Sequence, residues 1–168
     1  MPDNTSAPPK LLLDGHCYDF LCRDGLDEAL GDLHEAGACS VLTTSAQIIE
    51  FAEIPDTRID ARRQHIHALT LVRPRVVPSV YLLGTPLTSG AMGATEEEEA
   101  LFKQLSDGMT SARQSHQFDR VMAVAARREG ATLITDDAPA RRRIERLRIC
   151  PVWSYDALTE WIRAHSEP

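Results

Sequence analysis

The chain has 168 residues, of which 43% are hydrophobic and 26% charged, and its formal net charge is −7. This length fits one domain with a single core that needs neither disulfides nor a structural metal. The negative charge argues against nonspecific binding of nucleic acid by the surface as a whole, so a polyanionic partner has to be bound locally.

The sequence patterns predict neither a signal peptide nor a membrane span. No apolar run approaches the roughly 18 residues that span a bilayer, and "MPDNTSAPPK" lacks the apolar core of a signal peptide. We therefore expect a cytoplasmic protein with a disordered tail at residues 1–9 and one domain at residues 10–168. The four cysteines show no CxxC pair, which favours buried free thiols over a disulfide or a metal site.

Predicted strands and helices alternate along the chain. Short apolar runs rich in β-branched residues predict strands, and apolar residues three and four apart predict helices. The predicted strands are residues 10–14, 39–44, 131–135 and 148–153, with residues 76–83 as a strand or an extended connection. The predicted helices are residues 25–38, 45–54, 55–72, 96–107, 115–129, 138–147 and 154–165. This alternation predicts a three-layer α/β/α fold with a central, mostly parallel sheet.

Three local signals refine these boundaries. Ser45 is the expected N-cap of its helix. Thr95 and Glu98 have the spacing of a capping box at the start of the acidic helix. Between the extended segment at residues 76–83 and that helix, residues 84–94 are rich in Gly, Ser and Thr, which predicts a loop.

Acidic residues follow the predicted strands or open the predicted helices. In a parallel α/β sheet the carboxyl ends of the strands and the starts of the helices meet at one edge, where ligands bind. We therefore expect five carboxylates to converge there: Asp14, Glu50, Asp119, Asp136 and Asp137.

Carboxylates that lie close together repel one another, and a divalent cation removes this cost. Oxygen-only ligation suits Mg²⁺ or Mn²⁺, and such a site supports hydrolysis of phosphodiester bonds by metal-activated water. Each acid also has a purely structural interpretation. Asp119 complements its helix dipole in that case, and Asp136 caps the helix that follows.

The segment "DRVMAVAARREGATLITDD" resembles a motif of the PIN-domain family of metal-dependent ribonucleases, whose best-known members are VapC-type toxins. The family pattern is "D-A-L-I-A-A-x-A-x-x-x-G-A-x-L-V-T-x-D". The matching positions are Asp119, Ala123, Ala126, Gly130, Ala131, Leu133, Thr135 and Asp137. "SVLTTSAQIIEFAEI" is similar to the family segment that carries an internal Glu, and "KLLLDGHCYDFL" is similar to the opening strand and its Asp.

The resemblance implies a PIN-like fold and an endoribonuclease that hydrolyses RNA with Mg²⁺ or Mn²⁺, as the toxin of a toxin–antitoxin pair. It implies a metal-binding and catalytic quartet of Asp14, Glu50, Asp119 and Asp137, with Asp136 as a peripheral neighbour. Thr135 matches a supporting hydroxyl, whereas His16 stands where the family commonly has Asn or Ser.

The implied partners are RNA, a cognate antitoxin and a second copy in a homodimer. Arg141, Arg142 and Arg143 are the expected contacts to the RNA backbone, with Arg62 and Arg63 as further candidates. The alternative is a catalytically inactive PIN-like module that binds nucleic acid or protein, which His16 and the long segment between Glu50 and Asp119 favour.

Overall fold

The computed structural model describes residues 7–81, 91–106 and 114–166. Most of the predicted disordered tail, residues 1–6, lies outside the described residues, and so do residues 82–90, which contain most of the predicted loop. Of the segment 84–108, whose role the sequence does not reveal, the structure describes residues 91–106.

The centre of the molecule is a five-stranded, all-parallel sheet in the order β3-β2-β1-β6-β7. A second sheet pairs β4 with β5, also in parallel. In the central sheet β1 lies in the middle, with Leu11 opposite Val41 of β2 on one side and Leu13 opposite Ile134 of β6 on the other. The strands are β1 Lys10–Leu13, β2 Ser40–Thr44, β3 Arg75–Val77, β4 Ser79–Tyr81, β5 Ala91–Gly93, β6 Thr132–Ile134 and β7 Val152–Trp153.

Helices cover both faces of the sheet. The residues of β1 alternate between the two faces, so Leu11 and Leu13 belong to one core cluster and Leu12 to the other. The helices are α1 Gly15–Asp24, α2 Asp27–Glu35, α3 Ser45–Ala52, α4 Ile59–Val72, α5 Glu96–Ser106, α6 Gln114–Glu129, α7 Ala138–Leu147 and α8 Tyr155–Ser166. Side chains of α1, α2, α4 and α8 fill the first cluster, and those of α5, α6 and α7 fill the second. The predicted three-layer α/β/α fold with a parallel sheet is confirmed.

Three local expectations were wrong. Residues 15–24 form a helix that the sequence patterns did not predict, capped by the Asp14 side chain, which accepts a hydrogen bond from Gly15 N. The N-cap of α3 is Thr44 rather than Ser45, because Thr44 and Gln47 form a capping box. Within the predicted loop, residues 91–93 form strand β5.

The predicted capping box of α5 is confirmed, and its acid also joins two helices. Thr95 N donates to Glu98 Oε2 at 2.7 Å, and Glu98 N donates to Thr95 Oγ1 at 3.3 Å. Arg128, near the end of α6, donates to both carboxylate oxygens of Glu98, at 2.6 Å and 2.8 Å. This paired contact fixes α6 against α5.

Gly130 and the four cysteines are the other single residues for which the sequence predicted a structural role. Gly130 ends α6 with φ +63, a left-handed conformation that favours glycine. All four cysteines are free thiols, as expected, but only Cys17 and Cys39 are buried. None of the helices in the described ranges has the length and apolar character needed to cross a membrane.

Candidate functional site

The carboxyl ends of β1 and β6 place the first group of predicted site residues. Leu13 and Ile134 are register partners in these adjacent strands, so the residues that follow them leave the sheet side by side. Asp14 follows β1, and Thr135, Asp136 and Asp137 follow β6. These four residues therefore lie at one edge of the sheet, where the starts of α1 and α7 also lie.

Asp14 is held by hydrogen bonds to both of its carboxylate oxygens. Gly15 N donates to Oδ1 at 2.6 Å, and the Thr135 hydroxyl donates to Oδ2 at 3.0 Å. The backbone is fixed as well, because Asp14 N donates to Ile134 O at 2.9 Å. These contacts give the Asp14 carboxylate one orientation at the end of the central strand.

Asp119 lies on the second turn of α6 and is half-buried. Burial raises the pKa of its carboxyl to about 7, and the negative charges of Asp14 and then Asp137 add to this shift. His16 and Arg120 act in the opposite direction. Three of the predicted acids thus lie close enough to influence one another electrostatically.

Glu50 joins the same group from α3, at its solvent-facing rim. Partial desolvation is the largest cause that raises the pKa of Glu50, and the charge of Asp14 is the next. His16 and His65 lower that pKa through their positive charge. His16 lowers the pKa of both Glu50 and Asp119, so it lies within electrostatic range of both acids.

The two acids after β6 have different surroundings. Asp137 caps α7, since its Oδ1 accepts a hydrogen bond from Ala140 N at 2.8 Å, and its own N–H donates to the Thr135 hydroxyl at 3.3 Å. The cap that the sequence analysis considered for Asp136 therefore belongs to Asp137. Asp136 instead pairs with Arg141 at 3.5 Å and remains about half exposed. This fits a peripheral place for Asp136.

The donor set at this edge fits a hard divalent cation, because the residues supply carboxylate oxygens that repel one another. Among the residues of the described ranges, however, no three His, Cys, Asp or Glu side chains are grouped closely enough to hold a metal ion. Asp14 and Asp137 each use one carboxylate oxygen to accept a hydrogen bond from a backbone N–H at a helix start. Asp14, Glu50, Asp119 and Asp137 would hold an ion only after their side chains move toward one another.

A cavity of about 580 Å³ opens beside the carboxylates, and both Asp119 and Asp137 line it. Of the predicted RNA-binding arginines, Arg142 and Arg143 line this cavity. Arg141 is turned toward the sheet edge, where it donates to Thr135 O at 3.0 Å.

Two further arginines of the cavity, Arg120 and Arg146, were missed by the sequence analysis. The helical repeat carries a signal for Arg146, which lies four residues after Arg142, on the same face of α7. It carries none for Arg120, because neighbouring residues such as Asp119 and Arg120 point in different directions on a helix. Of the other candidates, Arg62 is turned inward, with Nε 2.9 Å from Ile54 O, and Arg63 lies exposed on α4.

No protein-family model matches the sequence, and neither does any curated protein. Among solved structures, the fold is similar to a chain of VapBC2 from Rickettsia felis, a complex bound to a DNA fragment from their promoter. The TM-score is 0.49 at 13% sequence identity, and the match covers 86% of this chain and 98% of that chain.

Proposed function

We propose that the protein is a PIN-like, metal-dependent endoribonuclease that hydrolyses phosphodiester bonds of RNA, and that it serves as the toxin of a toxin–antitoxin pair. One observation carries the nuclease proposal: four carboxylates from different parts of the sequence lie at one edge of a parallel sheet within electrostatic range of one another. The motif from Asp119 to Asp137 supports the same reading. The toxin part rests on the resemblance of that motif to VapC-type proteins.

Each residue of the site has a defined task in this proposal. Asp14, Asp119 and Asp137 hold Mg²⁺ or Mn²⁺, and Glu50 at the exposed rim orients the attacking water through its carboxylate. The bound cation supplies Lewis-acid stabilisation of the charge that develops on the phosphoryl oxygens. Thr135 keeps Asp14 in place, and His16 balances the charge between Glu50 and Asp119.

Cleavage of RNA tests the nuclease proposal. Purified protein is titrated with Mn²⁺ or Mg²⁺ and then given a labelled single-stranded RNA. The wild type should cut only when an ion is present, whereas Asp14→Asn and Asp119→Asn should lose at least about a hundredfold in rate. Asp32→Asn, an exposed residue of α2 with the same change of charge, serves as the matched control and should cut like the wild type.

A catalytically inactive binding module is the second candidate. Two observations favour it: the absence of a preformed three-residue metal group in the described ranges, and His16 at the position where the PIN-domain family commonly has Asn or Ser. This candidate predicts that the wild type binds RNA or a protein yet leaves RNA intact with either ion. Intact RNA at saturating Mn²⁺ would therefore decide against the nuclease.

Growth measurements test the toxin proposal separately. Induced expression of the wild type in a bacterial host should arrest growth, and Asp14→Asn should not. Co-expression of the neighbouring open reading frame should relieve the arrest if that frame encodes the antitoxin. Active RNA cleavage without growth arrest would retain the nuclease and remove the toxin assignment.

A further inference from the structure

Glu50 differs from the other acids of the site in how its carboxylate is held. Asp14 accepts hydrogen bonds at both of its carboxylate oxygens, and Asp137 accepts one at Oδ1. The exposed side chain of Glu50 forms no hydrogen bond or ion pair with any residue that the structure describes. The charge of Asp14, which raises the pKa of Glu50, also repels the Glu50 carboxylate when both acids are ionised. The position of Glu50 therefore depends on how its helix, α3, is packed.

Phe51, the next residue of α3, joins that helix to the start of α1. Successive residues of a helix point about 100° apart, so Phe51 turns into the protein, with 3% of its surface exposed, while Glu50 faces the site. A Cβ atom on Gly15 would lie 3.3 Å from Phe51 Cε1, closer than an ordinary contact. Tyr18 of α1 meets the same ring edge-on, with 5.7 Å between the centroids. Because Gly15 N donates to Asp14 Oδ1 at 2.6 Å, the Phe51 ring packs against the residue that orients Asp14.

His65 of α4 also packs against the Phe51 ring. The two ring centroids are 4.4 Å apart and the planes are tilted by 44°. His65 Nδ1 lies 2.8 Å from Ala61 O and 3.1 Å from Asp19 Oδ1 of α1. A carbonyl and a carboxylate are both acceptors, so Nδ1 carries the proton, and the ring is held by its own helix and by α1. His65 is 7% exposed, so its ring stays against Phe51.

Helix α4 holds the end of α3 as well. Arg62 Nε donates to Ile54 O at 2.9 Å, two residues after α3 ends at Ala52. The helix that carries Glu50 is thus fixed against α1 by the Phe51 ring and against α4 by two side chains. None of these contacts uses a carboxylate of the site, so each can be altered without removing a proposed metal ligand.

We propose that Phe51, packed against Gly15 and His65, is a positioning residue that fixes the distance of the Glu50 carboxylate from Asp14. This inference rests on the proposed nuclease function, in which Glu50 orients the attacking water and three other acids hold the cation. Moving the Phe51 ring should therefore slow the chemical step and leave binding of the cation and of RNA unchanged. Small movements suffice, because a misplacement of about 1 Å can cost on the order of a hundredfold in rate.

Substitutions at Gly15 test this role, because they push on the Phe51 ring and keep the backbone N–H that binds Asp14. Gly15→Ala should lower kcat by at least about threefold and Gly15→Val by about thirtyfold. The KM for RNA and the Mn²⁺ concentration that gives half-maximal cleavage should stay within about twofold of the wild type. Gly93→Ala is the matched control and should cut like the wild type, since a Cβ at Gly93 meets no atom within 4 Å. An unchanged kcat for both Gly15 variants, or a loss of Mn²⁺ affinity in place of the loss in kcat, overturns the proposal.

Substitutions at His65 test the contact from the side of α4. His65→Ala removes the ring that packs against Phe51, so kcat should fall by at least about threefold with KM unchanged. His65→Phe keeps an aromatic ring at this place and should recover most of the loss. His67→Ala is the control on the same helix, because the His67 side chain is 62% exposed. Equal kcat values for His65→Ala and His65→Phe would show that the ring contact does not position Glu50.

Backbone amide signals, recorded by NMR in EDTA, separate this inference from the proposed function. Gly15→Ala should shift the signals of Glu50 and Phe51 but not that of Asp119, and Gly93→Ala should shift none of them. Unshifted signals of α3 in Gly15→Ala overturn the inference. If these signals shift but the wild type leaves RNA intact, the nuclease proposal fails and the packing that fixes Glu50 stands. If RNA is cut and the Gly15 variants cut it at the wild-type rate, the nuclease proposal stands and the positioning role fails.

Discussion

The Thr135 hydroxyl donates a hydrogen bond of 3.0 Å to Asp14 Oδ2, across 121 positions of sequence. The Thr135 hydroxyl oxygen in turn accepts a hydrogen bond from Asp137 N at 3.3 Å. Thr135 is buried, with 3% of its surface exposed. One hydroxyl group therefore connects the acid after β1 with the acid after β6 and fixes the spacing of two proposed metal ligands.

Replacing this hydroxyl should weaken the metal site without removing a ligand. Thr135→Val keeps the shape of the side chain but leaves Asp14 Oδ2 without its donor, so we expect metal affinity or activity to fall by about 10-fold to 100-fold. Thr135→Ser retains the hydroxyl and should stay within a few-fold of the wild type. The Mn²⁺ concentration that gives half-maximal cleavage measures the effect. Equal values for Thr135→Val and the wild type would show that the bond does not support the ligands.

Much of the fold was predictable because its signals are local. The alternation of short β-branched runs with helical repeats predicted the parallel sheet, and helix α7 was predicted with its observed ends, residues 138–147. The place of two acids at the sheet edge was predictable for the same reason, since Asp14 directly follows β1 and Asp137 lies three residues after the end of β6, the strand that pairs with β1.

Other features depend on contacts that sequence patterns do not contain. Helix α1 was missed because its cap, Asp14, was interpreted as a metal ligand and its apolar residues are interrupted by cysteines and acids. Whether an arginine faces the cavity depends on the packing of α6 and α7, which is why Arg120 and Arg146 were missed. The orientation of Arg141 toward Thr135 O is likewise a tertiary contact.

The charge of Asp119 should make the metal-free protein less stable as the pH rises. Its pKa in the folded chain, about 7, is above the ordinary value of 3.8, so the folded state binds this proton more tightly than the unfolded state. The stabilisation that the folded state gains by binding the Asp119 proton more tightly is therefore complete below about pH 4, and it is lost as the pH rises through about 7.

Asp119→Asn removes the carboxylate, and with it the loss of stability that ionisation of Asp119 causes at high pH. In EDTA at pH 8, we expect the variant to be more stable than the wild type by on the order of 2 kcal/mol after allowance for solvent screening, or a few degrees in Tm. The advantage should shrink toward pH 4. Melting curves across this range measure it, with Asp32→Asn as the control that changes an exposed charge. A lower Tm for Asp119→Asn at pH 8 would contradict the electrostatic explanation.

Asp137 has two tasks that substitutions can separate. Its Oδ1 caps α7 through Ala140 N, which an amide oxygen can also do, whereas a cation requires the carboxylate charge. Asp137→Asn should therefore keep the stability within about 0.5 kcal/mol and lose most of the metal-dependent cleavage. Asp137→Ala should lose the cleavage and also about 1 kcal/mol of stability. Full cleavage by Asp137→Asn would leave Asp137 as a helix cap alone.

The contact of Arg128 with Glu98 should contribute more to stability than the neighbouring ion pair of Arg127 with Glu97, which joins the same two helices. Arg128 and Glu98 are 21% and 12% exposed, and two short hydrogen bonds join them. Arg127 and Glu97 form a single ion pair at 2.8 Å and are 43% and 70% exposed. Removing Arg128 leaves a largely buried carboxylate without its cation, whereas removing Arg127 leaves an exposed carboxylate in water.

We therefore expect Arg128→Ala to lower the free energy of unfolding by about 2 to 3 kcal/mol at pH 7, and Arg127→Ala to lower it by less than about 1 kcal/mol.

The hydrogen bonds from Arg128 are the main cause that lowers the pKa of Glu98 from its usual value of 4.5. The stability from this pair is thus present above about pH 5 and is lost as the pH falls through the lowered pKa. Urea unfolding at pH 7 and at pH 3 should show the difference between Arg128→Ala and the wild type shrinking in acid. A constant difference, or equal effects of the two substitutions at pH 7, would mean that the Arg128 side chain acts through packing rather than through its charge.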